Sequence, residues 1–365
     1  MKDFLVHGKA SVLLDGQFGS TGKGLAAAYA FEQLKNHLNW GRVVCTTNAA
    51  PNAGHTTVTK DGRKFVTFHM PTMGVLSPNS MIVVNAGAII DIDTLFKEVD
   101  DLNINPNRVY IHQNAAVITN HHKHNEKDKA SSQTSIASTQ KGVGAALAEK
   151  VSRGGPVAKN FASTLTDKGF RIFETDLTSY VDDGWAVMIE TPQGMGLSLN
   201  NGFYPYCTSR EVSVSQSLSD AGLHPSHLHK TLMTMRTFPI RVGNITDDKG
   251  SVIGWSGPVY PDQHELSWEQ DFPRVIPEKT TVTQRVRRIF TFSNTQYFEA
   301  LRRLRPDYVH VGFCDYLEDG DRFFNFTQRL SDVEYLAGVS VNRVYAFGPS
   351  TNDVLEYEDA LAKYK

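Results

Sequence analysis

Residues 12–30 read VLLDGQFGSTGKGLAAAYA. An apolar run leads into a turn rich in glycine, then into an alanine-rich stretch: a buried strand, a loop and a helix. Such a junction suits an anion. Glycines let backbone N–H groups approach oxygen atoms closely. The helix start contributes roughly half a positive charge, and Lys23 adds a full one. The pattern departs twice from the phosphate-binding spacing G-x-x-x-x-G-K-[ST]. Gly16 and Gly22 stand one residue too far apart, and Lys23 is followed by Gly24 where a magnesium-binding hydroxyl belongs. A magnesium ion here would need oxygen ligands from Ser20 or from the backbone of another loop.

Working outward, short apolar runs alternate with helical patterns. SVLLD, GRVVCTTN, SMIVVNAG, RVYIH, WAVMIETPQG, YVHVGFCD and VNRVYAFGP read as strands, each ending in a polar or glycine-rich loop. GLAAAYAFEQLKNHL and DIDTLFKEVDDL read as helices, the second with a capped start. The expected class is α/β: a mainly parallel central sheet with flanking helices and long functional loops, a P-loop-like nucleotide-binding fold. In such sheets ligands bind beyond the strands' carboxyl ends. One unit spanning 1–365 is expected, with an irregular excursion at 244–284 rich in Gly, Pro, Asp and Thr. The polar segment 120–135 reads as an exposed turn or mobile loop. Its histidines, His121, His122 and His124, have no spacing that demands a metal.

Composition narrows the function. Hydrophobic residues make up 40%, charged residues 21%, and the net charge is −2, so no bulk attraction to nucleic acid is expected. No apolar run approaches the length of a membrane span, and the start of the chain does not resemble a secretory signal. Cys45, Cys207 and Cys314 are odd in number and far apart, which argues against a disulfide framework. A reducing cytoplasm fits, the host's if the chain is phage-encoded.

After the strand RVVCTTN comes AAPNAGHTT, residues 49–57. Taken alone it is a tight turn bearing a histidine. Taken with GQFGSTGKG it resembles the adenylosuccinate synthetase family, whose loops run G-x-Q-W-G-D-E-G-K-G and N-A-G-H-T. The likeness continues in order along the chain. STQKGVG (138–144) is similar to T-T-G-R-G-I-G, and KVSRGG (150–155) to the family's arginine-bearing segment. PQG (192–194) and YPYCTS (204–209) are similar to A-Q-G and Y-P-Y-V-T-S. TVTQRVRR (281–288) resembles the aspartate loop T-T-T-G-R-x-R-R. FCD (313–315) and FGP (347–349) stand where T-K-L-D and T-G-P read a base.

The resemblance implies a ligase that joins aspartate to a purine nucleotide. A nucleoside triphosphate phosphorylates the purine 6-oxygen, and the aspartate amine then displaces that phosphate. It implies Mg2+, held by Ser20 and the Gly54 carbonyl, and a catalytic set of Ser20, His55 and Lys23. His55 would donate a hydrogen bond or proton toward the 6-oxygen. Asn52, Ser138, Thr139, Arg153, Gln193, Thr208 and Val242 would hold the monophosphate nucleotide. Gly22, Lys23, Gly24, Thr56, Asp315, Gly348 and Pro349 would hold the triphosphate. Thr283, Arg285 and Arg287 would bind aspartate, the two arginines alternating along an extended chain so that both point the same way. A homodimer is implied, with Arg153 crossing to the partner's site.

The departures carry information. Ser20 replaces an aspartate that takes the purine N1 proton, and serine is no base near neutral pH. A guanine ring carries an amine beside N1, and a short hydroxyl leaves room for it and accepts from it. This change resembles the phage branch of the family, the 2-aminoadenylosuccinate synthetases, which use dGMP. An ordinary IMP ligase with a relocated base, or a silent nucleotide-binding homologue, are the alternatives. Asp15, or a water held by Ser20, are candidates for the N1 base. Phe313 replaces the lysine of the base-reading motif, so ATP or dATP stands beside GTP as donor. In the aspartate loop, Gln284 replaces a glycine and Val282 a threonine.

Overall fold

The computed structural model describes residues 1–128, 132–280 and 283–364. A ten-stranded sheet organises it. In chain order the strands are β1 (Ala10–Asp15), β2 (Val43–Thr47), β3 (Met81–Val84), β4 (Val109–His112), β5 (Arg171–Phe173), β6 (Ala186–Gly194), β7 (Leu228–Arg236), β8 (Tyr308–Gly312), β9 (Asn342–Ala346) and β10 (Val354–Leu355). Their spatial order is 10-9-8-7-1-6-2-3-4-5, and every pairing is parallel except β9 with β10. Each strand expected from the sequence is present within a few residues of its expected limits. Among the described residues no helix is long and apolar enough to cross a membrane.

β1 is buried along its whole length, because both faces of the sheet are covered. Leu13 faces α1 (Lys23–Leu34), packing with Ala26, Ala27, Ala30 and Leu34. Val12 and Leu14 face the other way, into a larger cluster with Tyr297 and Leu301 of α2 (Asn294–Leu304) and Phe323 and Leu330 of α3 (Gly320–Ala337). The register of β1 against β6 slips between Leu13 and Asp15, bringing Asp15 opposite Gly194. That slip aims the end of β1 and its loop at the turn after β6.

Three features differ from the sequence reading. β7, the immediate neighbour of β1, was not expected: LHKTLMTMR opens with polar residues and lacks the Val/Ile enrichment of a buried strand. The segment after Thr119 begins as a helix, Asn120–Lys127, rather than an exposed turn. His122 is buried there, accepts from Thr119 N at 3.0 Å in a capping box, and pairs with Glu149 at 2.9 Å. The stretch 244–284 is not wholly irregular. It holds a hairpin, Ile245–Thr246 with Val252–Gly254, and the strand Glu265–Leu266, which pairs with Arg288–Phe290.

α1 also packs against a hairpin of His55–Val58 and Lys64–Thr67. Gly24 permits the approach: a Cβ there would lie 2.5 Å from the Thr56 carbonyl oxygen and from Thr57 Oγ1. Backbone cannot swing aside as a flexible side chain can. Gly24→Ala is therefore expected to destabilise the chain by about 1–3 kcal/mol, read as a lowered midpoint in urea unfolding.

Candidate active site

The carboxyl ends of β9, β8, β7, β1, β6 and β2 lie side by side, and the loops after them surround a cavity of about 490 Å³. That is a size suited to small-molecule ligands. The loop after β1 is built around Asp15, which is fully buried. Its Oδ1 accepts from Gln17 N at 2.6 Å, and its Oδ2 accepts from Thr21 Oγ1 at 2.5 Å and Lys23 Nζ at 3.3 Å. Thr21 Oγ1 also lies 2.6 Å from Thr234 Oγ1 on β7. Lys23 donates to the Gln193 carbonyl at 3.0 Å. Gly19, Ser20 and Gly22 all take positive φ, at 91°, 56° and 87°. For Ser20 this is the left-handed region that a side chain enters only at a cost.

The structure brings most of the expected residues to this one cavity. Ser20, Gly22, Lys23, Gly24, Asn52, Gly54, His55, Thr56, Thr139, Gln193, Val242, Thr283, Arg287, Asp315, Gly348 and Pro349 all line it. Asn52 Oδ1 is buried there without a hydrogen-bond partner, as a ligand-holding amide would be. Burial, and then the charge of Lys23, pushes the His55 imidazole down to about 3. At neutral pH it is uncharged, able to donate from one ring nitrogen and accept at the other.

Four expected residues do not line the cavity. Ser138 precedes the lining residue Thr139 in the chain, and Thr208 N donates to the carbonyl of the lining residue Leu197 at 2.7 Å. Arg153 is exposed, on a left-handed turn with φ 68° past the helix Val143–Val151. Arg285 corrects the expectation that both arginines of its loop point the same way. Arg287 faces the cavity, whereas Arg285 turns aside, its Nη2 donating to the Ala137 and Ser138 carbonyls at 2.9 and 3.3 Å. Arg285 is held there by Thr283 Oγ1, which accepts from its Nε at 3.0 Å, and Gln284 just before it takes φ 56°. Val282 lies outside the described residues. Asp15, a candidate base, does not border the cavity; its oxygens serve the loop itself.

The sequence reading missed Phe18, Leu197, Glu278, Lys279, Thr280, His310 and Tyr316, which also line the cavity. It missed Arg236 behind it, the last residue of the unexpected strand. His310, on β8, is fully buried, and neither ring nitrogen has a hydrogen-bond partner.

The oxygens of Ser20 and Gly54 suit a hard cation that keeps several waters and is held largely by substrate phosphates.

The family model for adenylosuccinate synthetase matches residues 12–172 and 158–318. A protein of Salmonella phage PMBT28, N6-succino-2-amino-2'-deoxyadenylate synthase, is 38% identical over 367 residues, covering 95% of this chain and 97% of its own. The protein of the same description from Acinetobacter phage SH-Ab 15497 is 39% identical over 363 residues, covering 90% of each. Among solved structures, the succinoaminodeoxyadenylate synthetase of cyanophage S-2L, bound to dGMP and to dATP as an energy donor, superposes with a TM-score of 0.82 at 32% identity. It covers 98% of this chain and 99% of that one.

Burial pushes His310 down to about 4. The unfolded chain takes up this proton near pH 6.5 and the folded chain only near pH 4, so the group's contribution is full above pH 6.5 and is lost as pH falls toward 4. His310→Phe removes that loss and the two unpaired nitrogens. The variant is expected to exceed the parent in stability at pH 5, with the gap narrowing above pH 6.5, in urea unfolding across that range. The run of nine motifs in order, the cavity that gathers their residues and the matched relatives together establish that this chain belongs to the adenylosuccinate synthetase family.

Proposed function

We propose that this chain joins L-aspartate to C6 of dGMP through a 6-phosphoryl intermediate, giving 2-amino-2'-deoxy-N6-succinyl-AMP. The energy comes from ATP or dATP, with GTP the less favoured donor. The observation that carries this reading is Ser20, a hydroxyl at the cavity wall on the loop that also supplies Lys23. In this reading the short hydroxyl leaves space for the 2-amino group of guanine. A site that hydrogen-bonds an amine rejects the analogue lacking it, by up to about 10⁴-fold.

The residues divide the work as follows. Lys23 and the backbone N–H groups of Gly22 and Gly24 receive the transferring phosphoryl group. That group leaves the triphosphate, bonds to the purine O6, and departs as inorganic phosphate when the aspartate amine attacks C6. His55, uncharged when the site is empty of anion, donates its N–H toward O6 and the phosphoryl oxygens. Added negative charge beside it raises its affinity for a second proton. Asp15 is committed to Lys23, Thr21 and Gln17, so a water held by Ser20 is the remaining acceptor for the N1 proton. Asn52, Thr139, Gln193 and Val242 hold the monophosphate nucleotide, with Ser138 and Thr208 toward its phosphate. Thr283 and Arg287 grip aspartate, and Arg285 fixes the nucleotide loop by its carbonyls. Asp315, Gly348, Pro349 and Thr56 hold the donor. Mg2+ would be held by Ser20 and Gly54 and would neutralise phosphate charge.

The relatives' names support the product, and the cyanophage structure's dGMP and dATP support the substrate and donor. Phe313 in place of a lysine removes a cation that would meet the O6 of a guanine donor. Dimerisation belongs to the same proposal. The exposed Arg153 turn would reach the partner's monophosphate site.

Aspartate, magnesium and ATP supplied with dGMP, GMP or IMP separate the readings by the absorbance of the succinylated product. Turnover with dGMP is expected. Turnover of IMP alone would point to the ordinary ligase, and no turnover to a silent homologue. Ser20→Asp is expected to move the dGMP-to-IMP preference toward IMP by about 10-fold or more, measured as the ratio of kcat/KM values. An unchanged ratio would remove the steric argument. For the dimer, inactive Lys23→Ala and Arg153→Ala chains, mixed and refolded together, are expected to regain activity that neither has alone.

A further inference from the structure

Arg236 is fully buried at the end of β7. Its backbone is held on both sides by one amide: Gln17 Nε2 donates to the Arg236 carbonyl at 3.1 Å, and Arg236 N donates to Gln17 Oε1 at 3.0 Å. Its guanidinium reaches three loops. Nη1 donates to the Ser20 carbonyl at 3.2 Å and to Glu278 Oε2 at 3.1 Å, and Nη2 donates to Glu278 Oε1. The guanidinium carbon sits 3.6 Å from the centroid of the Phe313 ring. Glu278 in turn accepts from Tyr316 Oη at 2.9 Å, and its backbone carbonyl accepts from Arg287 N at 2.8 Å. Burial works against charge on Glu278, but Arg236 and then Arg287 outweigh it and hold the carboxyl below its usual range.

Arg287 is placed differently. It lines the cavity, its Nε makes no hydrogen bond, and that nitrogen lies 3.9 Å from Glu278 Oε2. Glu278 is thus fully engaged by Arg236 and only loosely by Arg287. A carboxylate entering the cavity takes Arg287 over and withdraws a cation from Glu278. Besides the neutral Tyr316 hydroxyl, Glu278 is then left with Arg236, whose backbone is clamped. Only its guanidinium can respond, and that group holds the Ser20 carbonyl in a left-handed turn.

We infer that the Arg236–Glu278 ion pair is a strut linking the aspartate loop to the Ser20 turn, so that binding of the dicarboxylate and recognition of the purine are energetically coupled. Both are positioning residues. The inference rests on the proposed roles of Arg287 and Ser20. Coupling between two ligands is reciprocal, whichever binds first.

The test uses calorimetric Kd values for the monophosphate nucleotide with and without saturating succinate, a four-carbon dicarboxylate that lacks the amine and cannot react. The wild-type chain is expected to bind the nucleotide roughly 5-fold or more differently when succinate is present. In Glu278→Gln that ratio is expected to fall to about 1. Because a lone buried guanidinium can compromise folding, the paired variant R236M/E278Q is measured beside it, with the same expected loss. A strut that only supports the fold would weaken both affinities and leave their ratio intact. Retention of the wild-type ratio in either folded variant overturns the inference, as does a wild-type ratio of 1. Both dGMP and IMP are titrated. Binding of IMP alone would refute the substrate reading, while the ratio on that nucleotide still decides the strut.

Discussion

A single buried carboxylate governs the shape of the cavity. Asp15 has no exposure to water and satisfies itself with three donors from the eight residues that follow it. Removing it would leave Lys23 buried without a counter-ion, a cost of about 3–5 kcal/mol for a broken buried pair. The geometry is tight enough to dictate residues elsewhere. At Gly194, opposite Asp15 in the sheet, a Cβ would stand 2.4 Å from the Gln17 carbonyl and 2.6 Å from Asp15 Oδ1. β1, the phosphate loop and the end of β6 therefore form one interlocked unit, and the cavity is the space it leaves.

Backbone strain concentrates around that space. Ser20, Gln193 and Phe313 line the cavity with φ of 56°, 69° and 62°, and Gln140 and Gln284 sit in adjoining loops at 53° and 56°. Each such residue costs of order 1–3 kcal/mol, retained where the surroundings over-determine it. Gln140 and Gln284 stand where the resembling motifs carry glycine. Both take left-handed turns without the residue best suited to them. At Ser20 the carbonyl accepts from Arg236 Nη1, and the nearby Gly19 and Gly22 share its positive φ.

Charge is distributed with equal economy. Lys23 is matched by Asp15 and Arg236 by Glu278, and Arg285 donates from Nη2 to two backbone carbonyls and from Nε to Thr283 Oγ1. Arg287 keeps its charge, although burial draws it down to about 10 against the pull of Glu278. It faces the cavity with its Nε unpaired. The uncharged His55 beside Lys23 adds a donor without adding repulsion.

The sequence alone determined the strand–loop–helix units, because a buried parallel strand announces itself as a short apolar run closed by glycine or polar residues. It determined the order of the motifs, and so most of the residues that share the cavity. It did not reveal β7, since Thr231, Met233, Thr234 and Met235 are buried by neighbours on both sides rather than by a pattern of their own. Arg236 and Glu278 stayed invisible for the same reason: 42 residues part them, and only the fold makes them partners. The divergence of Arg285 and Arg287 was likewise decided by tertiary structure. Arg285 is drawn aside by the Ala137 and Ser138 carbonyls, which lie about 147 residues away in the chain and which no local alternation could foretell.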